Sequence, residues 1–99
     1  MPDPLPRLGG LPEPEVNGDI LSPQGAFVAE CDLVYRRQRV VVEYEGDHHR
    51  SDPRQWRKDV LRYERLQDLG WRVIRVTADD LRLRPAETVA RVRAALSGR

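Results

Sequence analysis

Two runs of alternating residues, Ala26 to Tyr35 and Arg39 to Glu45, are separated only by Arg36-Arg37-Gln38. So short a link can join neighbouring strands only by turning the chain back on itself, and the pair predicts an antiparallel hairpin. In the first run Phe27, Ala29, Cys31, Leu33 and Tyr35 share one face, while Val28, Glu30 and Asp32 share the other. In the second, Val40, Val42 and Tyr44 share a face, and Val41, Glu43 and Glu45 take the opposite one. If Tyr35 faces Val40, Asp32 falls directly across from Glu43, with Glu45 two residues along and Glu30 close by.

The rest of the chain builds around this hairpin. Six of the eight prolines lie within residues 2–23. Residues 1–14 therefore read as an extended, proline-rich segment ahead of a single domain over 15–99. Glu15 to Leu21 is a short first strand broken by the turn-prone Asn17-Gly18. Ser51-Asp52-Pro53 opens a helix with a capping side chain and a proline at its first position, and Gly70 closes it after about Leu69. Its apolar side is predicted from Trp56, Val60, Tyr63 and Leu66. Trp71 to Thr77 is a further strand, and Pro85 opens a last helix with a stripe of Ala86, Val89, Val92 and Leu96. The predicted order is β-β-β-α-β-α, a mixed-sheet α/β domain.

With 17 basic and 16 acidic residues the net charge is only +1, which excludes a uniformly basic coat. The distribution is uneven. Residues 1–34 hold one basic residue against six acids, net −5, and residues 35–99 hold 16 against 10, net +6. No apolar run approaches the roughly 20 residues of a membrane span, and no secretory signal is visible. The expected location is the cytoplasm. The single cysteine, Cys31, can build neither an internal disulfide nor a zinc site alone.

Like charges set opposite one another weaken a sheet. A fold that gathers Asp32, Glu43 and Glu45 gains from a cation among them, and oxygen-only clusters suit Mg²⁺, Mn²⁺ or Ca²⁺. The plain alternative is a solvated face of ordinary surface charges, although Val28 and Val41 share that face. His48 and His49 follow directly, as a proton carrier and ligand or as loop residues. Arg54, Lys58, Arg62 and Arg65 form a helical stripe that reads first as a solvated face, partly paired with Glu64 and Asp68, and otherwise as a set of phosphate contacts. Asp59 projects into the apolar arc and needs a partner, for which Arg75 is expected as a structural ion pair. Trp56 and Trp71 are expected as core anchors, and Cys31 as an inert apolar-face residue.

The run Val41-Val42-Glu43-Tyr44-Glu45-Gly46-Asp47-His48-His49 resembles the E-x-(D/E)-G-x-x-H motif of small nucleases related to very-short-patch-repair endonucleases. These belong to the PD-(D/E)XK restriction-endonuclease-like superfamily. Asp32 matches the family's strand aspartate, Asp59 and Arg62 its D-x-x-R helix pattern, and Gly70 to Arg75 its G-x-x-V-x-R strand. The resemblance covers about residues 15–96.

That resemblance implies a metal-dependent DNA endonuclease with Mg²⁺, or Mn²⁺ in its place, held by Asp32 and Glu43. Glu45 stands where the superfamily usually has lysine, and His49 assists proton transfer, with His48 outside the motif position. Arg54, Lys58 and Arg62 are the implied DNA contacts. DNA is the expected partner, no membrane is involved, and the chain acts as part of a longer protein or as a homodimer. One departure stands out. The family carries a helix, with a site glutamate, ahead of its first strand, whereas Pro2, Pro4, Pro6, Gly9, Gly10, Pro12 and Pro14 here leave that helix missing. The alternative is a catalytically impaired nuclease-like domain that binds DNA or protein without cutting, or a purely structural fragment.

Overall fold

A computed structural model describes residues 11–45 and 52–98. Four strands, β1 (Glu15–Leu21), β2 (Phe27–Tyr35), β3 (Val40–Glu45) and β4 (Arg72–Thr77), form one sheet in that order. The hairpin has the expected register, with Tyr35 opposite Val40, Val34 opposite Val41 and Leu33 opposite Val42. Its link runs one residue longer than the sequence suggests, because Arg39 takes a left-handed conformation (φ 59°) before β3 begins. β4 pairs parallel to β3, placing Glu43 beside Arg75 and Glu45 beside Thr77. Parallel neighbours need a crossover, and helix α1 (Pro53–Asp68) supplies it.

Local chemistry sets the limits of α1. The Asp52 carboxylate accepts from the Arg54 N–H at 3.0 Å and from the Gln55 N–H at 3.4 Å. Pro53 costs nothing at a position whose N–H has no helical partner. At the far end Gly70 sits at φ 90°, where a side chain would be strained.

Both faces of the sheet are covered. On one, Leu33, Tyr35, Val40, Val42, Ile74 and Val76 pack under Val92 and Ala95. The latter two come from the last helix, which follows a short additional one: α2 is Ala78–Leu83 and α3 is Pro85–Leu96. On the other face Ile20, Val28, Ala29, Cys31, Val34 and Val41 pack against Leu66 of α1. Val40 to Glu43 of the central strand are all buried, as expected for a strand with layers on both sides.

Several expectations need correction. The expected order is present with one short helix, α2, added before the last, giving β-β-β-α-β-α-α. A reciprocal cap starts α2, with the Asp80 N–H donating to Thr77 Oγ1 at 3.1 Å and the Thr77 N–H to Asp80 Oδ2 at 3.0 Å. Six residues are too few to show helical periodicity. Trp56 is 62% exposed rather than a core anchor, because α1 meets the sheet along its C-terminal half, deepest at Leu66. α3 buries Thr88, Val92 and Ala95, leaving Ala86 exposed. Thr88 tolerates burial because its hydroxyl donates to the Arg84 carbonyl at 2.8 Å. Cys31 packs with Val34, Val41 and Leu66, not with Leu33. The β1–β2 register skips the Asn17–Asp32 step, and Asn17 stands at φ 53°, so strict alternation lapses where Cys31 sits. Leu11 packs on the α3-side core and the Tyr35 hydroxyl donates to the Pro12 carbonyl at 2.9 Å, so the end of the proline-rich segment is anchored.

Candidate acidic cleft at the end of the central strand

The β2–β3 ladder reaches Leu33 and Val42, and one step further stand Asp32 and Glu43. Here carboxylates complete the pairing of the strands. The Asp32 N–H donates to Glu43 Oε2 at 3.2 Å, and the Tyr44 N–H donates to Asp32 Oδ2 at 2.7 Å. Each acid thus binds the opposite strand's backbone, and the two side chains are locked beside one another. They open onto a cleft of about 240 Å³, lined also by Glu30, Glu45, Asp59, Arg62 and Tyr63.

Glu43 is the most enclosed of these acids, at 4% exposure. Burial pushes its carboxyl above the ordinary carboxylate range, against the opposing pull of Arg62 and the Asp32 N–H. Arg62 Nη2 lies 2.9 Å from Glu43 Oε1. The approach is not along an N–H direction. Both Glu43 Oε1 and Arg62 Nε are buried with no hydrogen-bond partner among the described residues. Buried polar atoms nearly always make hydrogen bonds, so a carboxylate oxygen beside a polar cleft that has an ion-pair partner but no hydrogen bond leaves room for a better-matched ligand.

The remaining side chains surround this pair. Arg62 also reaches the Tyr63 hydroxyl at 3.4 Å, and its guanidinium lies 5.2 Å from that ring's centre. Burial raises the Tyr63 phenol above its usual range despite that neighbour. The Cys31 thiol is pushed up to about 12, by burial first and then by the Glu43 carboxylate, so it stays protonated.

The expected ion pair of Asp59 with Arg75 is not what forms. Arg75 pairs with Glu45 and also lies over the Tyr63 ring, 4.8 Å from its centre. Asp59 instead accepts from Gln55 Nε2 at 3.0 Å, one helical turn away, and stands 3.9 Å from Arg62. The physical reason lies in the parallel register. It sets Arg75 on the β3 face that carries Glu43 and Glu45, so the strand acid is nearer than the helix acid. Arg62 departs from the exposed stripe of Arg54 and Lys58 and turns inward to Glu43. Helical periodicity could not reveal this, and the D-x-x-R spacing was its one sequence signal. His48 and His49 lie outside the described residues. Among the described residues no three His, Cys, Asp or Glu side chains form a group that could hold a metal ion. No helix among them is long and apolar enough to cross a membrane.

A mixed sheet bearing an acidic cleft at the end of its central strand, joined to β4 through a crossover helix, is consistent with a restriction-endonuclease-like fold. Residues 22–96 match the model of REase_MTES_1575, a restriction-endonuclease-like family, and the chain belongs to it. Two curated relatives from Mycobacterium tuberculosis are similar to it. They are Uncharacterized protein Rv2248 (strain ATCC 25618 / H37Rv) and Uncharacterized protein MT2308 (strain CDC 1551 / Oshkosh). Each is 31% identical over 83 residues, which make up 84% of this chain and 30% of the relative. The chain thus spans about three tenths of the length of those relatives. No solved structure matches it.

Proposed function

We propose that this domain is a divalent-metal-dependent endonuclease that hydrolyses DNA phosphodiester bonds in repair or defence, of the very-short-patch-repair-like kind. The observation that carries the reading is the buried Glu43 carboxylate, with one oxygen ion-paired to Arg62 but not hydrogen-bonded, locked beside Asp32 in a polar cleft. Two carboxylates form a small donor set, but Mg²⁺ commonly takes one or two, together with water and substrate phosphate oxygens. The donors present fit that ion.

Asp32 and Glu43 would hold the ion, which when bound would polarise the scissile phosphate and ease deprotonation of water. Their mutual locking fixes both oxygen donors before substrate arrives, so little reorganisation is needed at the reacting centre. Glu45, held by Arg75, borders the cleft two residues further along β3. His49, at the motif's histidine position, assists proton transfer. Arg54 and Lys58, exposed on α1, contact the DNA phosphates.

The test is nicking of supercoiled plasmid by purified protein with Mg²⁺. Asp32→Asn and Glu43→Gln abolish it under this reading, and Mn²⁺ replaces Mg²⁺. A second reading, a non-cutting DNA-binding module, is favoured by the lack of a three-residue ligand group among the described residues. It is supported instead if wild type leaves plasmid intact yet retards it on a gel with steep salt dependence.

A further inference from the structure

Building on that reading, we propose that Arg62 is a tethered substitute for the divalent ion, holding the charge of Glu43 until the ion displaces it. The contact has the form of a placeholder. Arg62 Nη2 comes within 2.9 Å of Glu43 Oε1, yet that oxygen and Arg62 Nε make no hydrogen bond among the described residues. A settled arginine pair looks different: Arg36 grips Glu15 through two hydrogen bonds of 2.7 and 3.1 Å. Arg62's other contacts are long, at 3.4 Å to the Tyr63 hydroxyl and 3.9 Å to Asp59.

The two partners differ in freedom. Glu43 is enclosed and tied by the Asp32 N–H, whereas the Arg62 side chain is 32% exposed and has a path to solvent. An incoming ion therefore meets a fixed carboxylate and a movable guanidinium. Without a cation, the buried Glu43 beside Asp32 would be costly, so Arg62 lets the acidic site assemble before any ion arrives. Once displaced, its guanidinium falls in line with Arg54 and Lys58, which precede it at four-residue intervals on α1. Ion binding thus adds a third cation to the DNA-facing stripe. By linkage, DNA that engages the freed arginine tightens ion binding in return.

The test is direct Mn²⁺ binding, read as loss of the free-ion EPR signal, for wild type, Arg62→Met and Arg65→Met. Arg65 is an exposed arginine one turn along α1 and controls for loss of a general positive charge. Arg62→Met is expected to bind Mn²⁺ about tenfold tighter than wild type, equivalent to about 1.4 kcal/mol. Arg65→Met should stay within about twofold, because exposed charges are screened. Equal or weaker binding by Arg62→Met overturns the inference, and if wild type still nicks plasmid the nuclease reading stands. If wild type and both variants bind no more Mn²⁺ than Glu43→Gln, the metal-site reading fails and the inference with it. The wild-type protein offers a measurement independent of how the variant folds. The Arg62 Nε–Hε NMR signal should move in step with Mg²⁺ saturation, and a signal unmoved at saturation overturns the proposal.

Discussion

Substituting Gly18 by alanine should destabilise the domain for a reason that can be traced atom by atom. Gly18 pairs with Cys31 across β1 and β2 and has no left-handed φ, so backbone strain is not at issue. A Cβ there would stand 2.8 Å from Val34 Cγ2 and 3.3 Å from Val34 Cβ. Carbon atoms attract best at about 3.5 to 4.0 Å, so both contacts are repulsive. Rotating Val34 moves its methyls but not its Cβ, and β-branched side chains have few rotamers to offer. Val34 cannot retreat either, being fully buried among Val41, Ile20 and Leu66. β1 must therefore lift away from β2. Overpacking of this kind costs about 1–3 kcal/mol. Reduced freedom of the unfolded chain offsets about 0.4–1 kcal/mol of it. From the middle of each range the net loss is about 1.3 kcal/mol, which should lower Tm by about 5–10 °C for a domain of this size. Urea and thermal unfolding measure it. The decisive variant is Gly18→Ala with Val34→Ala, where the clash is gone and the double loss should fall at least about 0.5 kcal/mol short of the sum of the single losses. Additive losses, or a Gly18→Ala protein as stable as wild type, would refute the argument.

Three further outcomes follow from the same geometry. Because burial raises the folded-state pKa of Glu43, its ionisation is easier in the unfolded chain and costs stability above that raised value. The cost fades as pH falls to the ordinary carboxylate value of 4.5, so Glu43→Gln should compare more favourably with wild type at pH 8 than at pH 4 in urea titrations. A difference constant across that range would contradict this. Cys31, with its thiol pushed up to about 12, should ignore a thiol reagent at pH 8 until denaturant is added, and prompt labelling of the native protein would show that the site is open. Tyr35→Phe removes the hydroxyl that holds Pro12 and should cost about 1 kcal/mol, with faster proteolysis ahead of β1. Unchanged cleavage would show that this bond does not anchor the segment.

The elements most readable from sequence are those specified by local rules. Alternation and a short link gave the hairpin, and the Tyr35–Val40 register put Asp32 and Glu43 one step beyond its last regular pair. Asp52-Pro53 and Gly70 bracketed α1 because caps and backbone freedom act within a few residues. What escaped depends on contacts between distant segments. Helical period does not separate Arg62 from its stripe-mates, since the pull comes from Glu43 across the layer, and only the Asp59-x-x-Arg62 spacing marks it. Arg75 chose Glu45 because a parallel strand set it there, and the pairing direction of β4 is not written in its own residues. Trp56 is exposed despite its apolar position because helical period shows which side is apolar but not how much of the helix reaches the sheet. Cys31 changed company where Asn17 disturbed the pairing, a break that period-two counting passes over.

The carboxylates that finish the β2–β3 pairing give the domain a built-in reporter. The amide protons of Asp32 and Tyr44 are held by acid side chains. Whatever loads or protonates those acids will alter how fast these two protons trade with deuterium, while Leu33 and Val42 one step inward keep their own pace. Two exchange rates, measured on unlabelled native protein, thus follow the state of the cleft without a substrate, a dye or a mutation.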